Sequence, residues 1–312
     1  MKRVLSVLTA AGLALSLAAC GNSASSAVSS ESAAPVESTA ASSEAAPAAG
    51  FDTAQAITVI SREDGSGTRG AFIELTGVEQ KIDGKKVDMT TEDAQITNNT
   101  AAMLMTVAGD PQAIGYVSLG SLNDTVKAVK VAGVEATAAN VASGEYELAR
   151  PFNIAWRADA QSDLSKDFVA FVLSTEGQKV VSDNGYVGNA DAAAYAGTGA
   201  QGKLIVGGSS SVSPVMEKLI EAYALVNPNA VVELQTTDST TGMTSAIDGS
   251  YDVGMASREL KEDEAAQLES VAIAMDGIAV IVNLENPVDE LTVEQIGGVF
   301  LGEITAWNEL VK

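Results

Sequence analysis

Ser61-Arg62-Glu63-Asp64-Gly65-Ser66-Gly67-Thr68-Arg69 follows the apolar run Ile57-Thr58-Val59-Ile60 and precedes Gly70-Ala71-Phe72-Ile73-Glu74-Leu75. The order is β-branched strand, glycine turn, helix start. Such a turn aims backbone N–H groups at one point, which suits an anion. Gly65 and Gly67 lack a Cβ and let the backbone approach a ligand closely. Ser66 and Thr68 add hydroxyl donors, and Arg62 can present a bidentate fork. The same residues also suit an ordinary strand-to-helix turn with solvated arginines, so the decision falls to the rest of the chain.

Two more units repeat the pattern. Leu204-Ile205-Val206 leads through Gly207-Gly208-Ser209-Ser210-Ser211 into a helix over 213–226, with Ser213 expected as N-cap and Pro214 at the first helical position. The strand 231–235 leads through Asp238-Ser239-Thr240 into a helix over 241–247. Elsewhere the pattern predicts a helix over 101–107 after Asn98-Asn99-Thr100. It predicts strands at 113–118, 126–131, 152–156, 251–256, 271–274 and 278–282. Helices are expected at 137–143, 163–181 and 291–300, and the Gly- and Ala-rich stretch 185–203 reads as a linker. This alternation predicts an α/β fold with mostly parallel sheets, whose ligands bind at the carboxyl ends of strands. Turns 65–68, 208–211 and 238–240, flanked by Arg62 and Arg258, can then converge as an oxyanion cradle.

The chain has 312 residues, 41 of them acidic and 18 basic, for a net charge of −23. That balance argues against nucleic acid and against a polybasic membrane patch. An anion must be held here by local dipoles and a few arginines, against the field of the whole molecule. There is no histidine, which excludes Ser-His-Asp and Cys-His catalysis and His-ligated metal. Gly65-Ser66-Gly67-Thr68 also lacks the Gly-Lys-[Ser/Thr] ending of a P-loop enzyme. Neither a cofactor nor a metal is expected.

Residues 1–20 read as a lipoprotein signal: Lys2 and Arg3, an apolar stretch from Val4 to Leu17, then Leu17-Ala18-Ala19-Cys20. Cys20 is the single cysteine and reads as a lipidated mature N-terminus rather than a structural or catalytic thiol; no disulfide framework is possible. Residues 21–50 are a Ser/Ala/Glu/Pro tether with too little apolar surface to fold.

The combination resembles the phosphate-binding protein of the bacterial phosphate ABC importer (PstS type). The resemblance rests on segment 61–69, on Gly208-Ser209-Ser210-Ser211-Val212-Ser213-Pro214 and on Val253-Gly254-Met255-Ala256-Ser257-Arg258-Glu259-Leu260. Ala113-Ile114-Gly115-Tyr116-Val117-Ser118-Leu119-Gly120 and Ser174-Thr175-Glu176-Gly177-Gln178 add to it. It spans 57–312, but the segment like 204–310 comes first in the family and the segment like 57–187 second. The swapped order looks like a circular permutation in which 188–203 joins the old termini. Exposed, adjacent termini tolerate such a change.

The resemblance implies a two-lobed periplasmic-binding-protein-like fold (type II), with the ligand cleft between the lobes and two hinge crossings, near 152–156 and 278–282. Lobe II would comprise 51–153 and 276–312, and lobe I 154–275. The implied protein is a monomeric, extracytoplasmic, lipid-anchored solute-binding protein that passes inorganic phosphate to ABC permease subunits. Another oxyanion such as sulfate or molybdate, or a signalling module on the same scaffold, is the alternative. Matching positions carry the phosphate contacts to Arg62, Ser66, Gly67, Thr68, Ser210, Ser211 and Ser239. One position departs: an Asp that accepts the proton of hydrogen phosphate in other versions is here Arg258. Either Asp238 or Asp64 replaces that acceptor, or discrimination against sulfate weakens. Asp64 could instead orient Arg62, and Asp238 could instead cap a helix.

Overall fold

A computed structural model describes residues 50–311. The expected signal, Cys20 and all of the tether except Gly50 lie outside the described residues.

Elements follow in the order β1 (Thr58–Arg62), α1 (Gly67–Leu75), β2 (Glu79–Ile82), β3 (Lys85–Asp88), β4 (Gln95–Thr97), α2 (Thr100–Gly109), β5 (Ala113–Ser118), β6 (Lys127–Ala128), β7 (Lys130–Val131), α3 (Ala138–Ser143) and β8 (Ala149–Trp156). The chain continues with α4 (Asp163–Val172), α5 (Thr175–Asp183), β9 (Gly202–Ser209), α6 (Ser213–Val226), β10 (Ala230–Thr237), α7 (Ser239–Asp248), β11 (Val253–Ala256), α8 (Glu262–Ala265), β12 (Glu269–Val282), β13 (Glu290–Leu291) and α9 (Val293–Phe300).

One sheet runs in the order β10-β9-β11-β8-β12-β5-β1-β4, with β6 also on β12. Its two ends repeat one scheme. β1 lies parallel to both β4 and β5, and β9 lies parallel to both β10 and β11. Each trio meets an antiparallel strand, β12 beside β5 and β8 beside β11. Helix starts therefore stack at the carboxyl ends of both trios, where α/β folds place ligands.

β8 and β12 cross between the two ends. They pair antiparallel from Ala149 opposite Gly277 to Trp156 opposite Glu269, with an irregularity between Ala272 and Ala274. The rest of β12, from Ile278 to Val282, pairs with β5. The two apolar runs expected at 271–274 and 278–282 are thus one continuous strand, bridged by the charged Asp276 and by Gly277. Apolar cores lie on either side of the crossing. Phe72 stacks on Tyr116 and meets Phe300 edge-on in one; Phe168, Phe171 and Tyr223 pack in the other.

The helix expected over 163–181 is two helices. Ser174 donates to the Phe171 carbonyl (2.7 Å) and accepts from the Gly177 N–H (3.2 Å), so its side chain ends α4 and caps α5. Ser213 is not the N-cap of α6; it is the first helical residue, and its hydroxyl goes to Thr236 Oγ1 at 2.8 Å. The hairpin β2–β3 has no counterpart in the expected pattern, because its residues are mostly exposed and polar.

The 185–203 linker is tied down by one buried carboxylate. Asp167 accepts from the Thr198 N–H (2.7 Å) and hydroxyl (2.8 Å), and from the Tyr195 and Tyr223 hydroxyls (2.7 Å each). Burial raises the Asp167 pKa, and these bonds outweigh it, leaving the carboxyl below its ordinary value. Burial and the same carboxylate push the Tyr223 phenol up to about 12. A depressed folded pKa gives stability that is present above the unfolded value of about 3.9 and lost as pH falls below it. Thermal denaturation checks this: Asp167→Asn should cost about 1–3 kcal/mol at pH 7, with the gap to the parent closing below about pH 4. Equal melting temperatures at pH 7 would show that the cluster holds nothing.

Candidate anion site

Four helix starts meet at the crossing. α1 begins at Gly67, with Ser66 as N-cap accepting from the Arg69 N–H at 3.3 Å. α2 begins at Thr100, capped by Asn99. The turn 210–212 leads into α6, and α7 begins at Ser239 behind its cap Asp238. First-turn N–H groups have no acceptor inside their own helix, and the helix dipole adds partial positive charge there.

Hydroxyls knit these starts into one buried cluster. Thr68 Oγ1 lies 2.8 Å from Ser211 Oγ and 3.2 Å from Ser257 Oγ. Thr100 Oγ1 lies 3.2 Å from Ser210 Oγ and 3.3 Å from Ser211 Oγ. Ser209 donates to Ser257 Oγ at 2.9 Å, and Ser239 Oγ accepts from the Ser257 N–H at 3.1 Å. All eight side chains, Ser66 included, are buried. Hydroxyls both donate and accept, so they adapt to whatever proton pattern an oxyanion carries.

Two guanidiniums enter the cluster, each with its own carboxylate. Arg62 is buried, reaches Ser210 Oγ (3.1 Å) and Thr100 Oγ1 (3.4 Å), and is gripped by both oxygens of Glu63 (2.8 and 2.7 Å). Arg150, on β8, reaches Thr68 Oγ1 at 3.0 Å and pairs with the fully buried Asp276. Burial lowers the Arg150 pKa and raises that of Asp276, while their attraction pulls each back. Tyr116 backs the strand end: its hydroxyl is 2.9 Å from Ser61 Oγ and accepts from the Arg62 N–H, and burial pushes the phenol up to about 12.

The glycines of the opening stretch are required by the other half of the molecule. A Cβ on Gly67 would stand 2.3 Å from Ser239 Oγ and 2.9 Å from Ser257 Oγ, and one on Gly65 2.3 Å from Asp238 Oδ1. The Gly65 carbonyl accepts from the N–H and hydroxyl of Thr240. The two sides of the cleft are therefore in direct contact.

Of the residues marked in the sequence, the structure brings together Arg62, Ser66, Gly67, Thr68, Ser210, Ser211 and Ser239. Arg258 stands apart from them. Its Nη1 and Nη2 pair with the two oxygens of Glu264 at 2.7 and 2.8 Å, so α8 takes the charge that was expected in the cradle. Asp64 is almost wholly exposed and pairs with Arg69; it does not orient Arg62, because Glu63 does. Asp238 lies at the edge, with its oxygens on the N–H and hydroxyl of Thr241, as a helix cap. Thr100, Ser257, Arg150 and Asp276 are the residues that sequence reasoning missed. Arg150 and Asp276 carried a signal, a lone charge inside each of two apolar strands. Among the described residues no group of carboxylates or cysteines is placed to hold a metal.

Residues 42–176 and 193–312 match the PBP superfamily domain. "Phosphate-binding protein PstS 2" of Streptococcus agalactiae is 51% identical over 258 residues, covering 82% of this chain and 88% of that protein. The chain belongs to the PBP superfamily and, within it, to the PstS-type proteins. A crystal structure of a phosphate-binding protein of a phosphate ABC transporter from Streptococcus pneumoniae is 44% identical, with a TM-score of 0.66 over 82% of this chain and all of that one. "Phosphate-binding protein PstS" of Bacillus subtilis is 34% identical over 136 residues, only 43% of this chain and 42% of its own length.

Membership in this superfamily gives the bonded contact of the two sides a meaning, since lobes of such proteins open and close around ligands. Gly67→Ala should weaken anion binding at least about tenfold by holding the lobes apart, whereas Arg258→Gln should change affinity less than about tenfold. Calorimetric titration of both variants checks the pair. The opposite ranking would return Arg258 to the site.

Proposed function

We propose that this chain is an extracytoplasmic solute-binding protein, anchored by a lipid on Cys20, that captures inorganic phosphate between its lobes and delivers it to the permease of an ABC importer. The observation that carries this reading is the buried meeting of four helix starts, their hydroxyls and two guanidiniums in one closed cleft. A tetrahedral oxyanion needs many short donors in a dry site, and this cluster supplies them without a metal. Arg62, Ser66, Gly67, Thr68, Ser210, Ser211 and Ser239 would bind it, joined by Thr100 and Ser257. The relatives named as phosphate-binding proteins support the choice of ion. The protein works as a carrier, with no reaction to catalyse.

The swapped order of the two halves belongs to the same reading. Alignment with the S. agalactiae protein runs nearly end to end, while alignment with the B. subtilis protein stops at less than half of either chain. A permuted pair can be aligned in one direction over only one half at a time. The superfamily match itself breaks between 176 and 193, where 188–203 would join the old termini.

Asp64 is solvent-exposed and pairs with Arg69, Asp238 caps α7 through Thr241, and neither hydrogen-bonds to the hydroxyl cluster. Sulfate should therefore compete. Titrating the signal-free protein with phosphate, and again in equal sulfate, should show binding that sulfate weakens measurably, with Asp238→Asn leaving the ratio unchanged. Phosphate affinity untouched by excess sulfate would mean that a proton acceptor operates in the cleft. For the anchor, Cys20→Ser should release the protein from the membrane fraction.

A further inference from the structure

Arg150 makes more contacts across the molecule than any turn requires. Its Nη1 pairs with Asp276 and donates to the Gly277 carbonyl at 3.1 Å; its Nε donates to the Ser257 carbonyl at 3.3 Å; its Nη2 donates to Thr68 Oγ1 at 3.0 Å. Its face lies 5.1 Å from the centre of the Phe152 ring. One side chain thus ties together both crossing strands, the end of β11 and the first turn of α1. β8 and β12 set this up by register, because Arg150 stands directly opposite Asp276.

The contact to Thr68 has a directional consequence. A guanidinium can only donate, so the Thr68 oxygen must accept from Arg150. The Thr68 hydrogen is then free to point elsewhere, and its neighbours Ser211 and Ser257 are other members of the cluster. We propose that Arg150, held by Asp276, is a positioning residue that fixes Thr68 as a donor toward the bound oxyanion. This rests on the phosphate-binding reading above. Without Arg150, nothing keeps the Thr68 hydrogen out of the direction that Nη2 now occupies, and the hydroxyl can turn away from the cleft. Asp276 serves this by fixing Nη1, so that Nη2 is left for Thr68.

A structural ion pair and a positioning device respond differently to removal of both charges. Replacing a buried pair by apolar residues of similar size is often tolerated, whereas removing one partner is not. The test uses Arg150→Met with Asp276→Leu, Thr68→Val, and all three together, each titrated calorimetrically with phosphate and melted without it. The Arg150/Asp276 variant should melt near the parent and bind phosphate at least about tenfold more weakly. In the Thr68→Val background the same two changes should cost far less, because the hydroxyl through which they act is gone. Parental affinity in the Arg150/Asp276 variant, or a full loss on top of Thr68→Val, overturns the proposal. If the pair of changes unfolds the chain, Arg150→Lys carries the same test. Lysine keeps a charge against Asp276 but has one nitrogen, so affinity should fall, and fall little further in the Thr68→Val background. A parent protein that binds no phosphate overturns the functional reading itself; a binding parent with an unaffected Arg150/Asp276 variant overturns only the role of Arg150.

Discussion

β8 and β12 are the two passages of the chain between its lobes, and they are hydrogen-bonded to each other from Ala149 opposite Gly277 to Trp156 opposite Glu269. Because they lie mid-sheet, charges placed on them have little water nearby. Leaving one such charge unpaired costs about 3–5 kcal/mol, so Arg150 and Asp276 constrain each other, and the register that brings them face to face is locked in turn. On either side the parallel trios that carry the helix starts are attached to this hinge, β11 to β8 and β5 to β12. The cleft they make is defined by how the strands cross more than by any single turn.

The electrostatics obey the same geometry. A chain of net charge −23 repels anions at long range, but salt screens exposed charges beyond about 8 Å. Inside the cleft the structure gathers helix starts, hydroxyls and the fork of Arg62, with Arg150 behind Thr68. Each fork is already balanced by a carboxylate, Glu63 or Asp276, so the site gathers donors without gathering a large positive charge. The two sides approach most closely at Gly65 and Gly67, where a Cβ would stand 2.3 Å from Asp238 Oδ1 and from Ser239 Oγ respectively.

Much of this is legible in the chain. Strand, turn and helix units announce themselves through β-branched runs followed by Gly, Ser and Thr, and seven of the marked cradle residues do meet. The departures have particular causes. Ser174 interrupts a helical apolar pattern through a hydroxyl bond that periodicity does not register. Arg258 carries the right charge at the right strand end, yet Glu264, six residues on, claims it. Thr100 stands at an expected helix start, yet its place in the cradle depends on Ser210, 110 residues away.

By itself the sequence determined the class of fold, the repeated strand-turn-helix units and the chemistry available at their turns, since these depend on neighbours within a few residues. Segment 61–69 by itself suits an anion-binding turn and an ordinary strand-to-helix turn alike. Only the tertiary structure decided which arginine joins it. Arg150 enters, and Arg258 leaves, because of partners 126 and 6 residues away respectively. Local sequence states that a charge is present. Which carboxylate neutralises it, and therefore where its remaining donors point, is settled only when the strands pair and the water is gone.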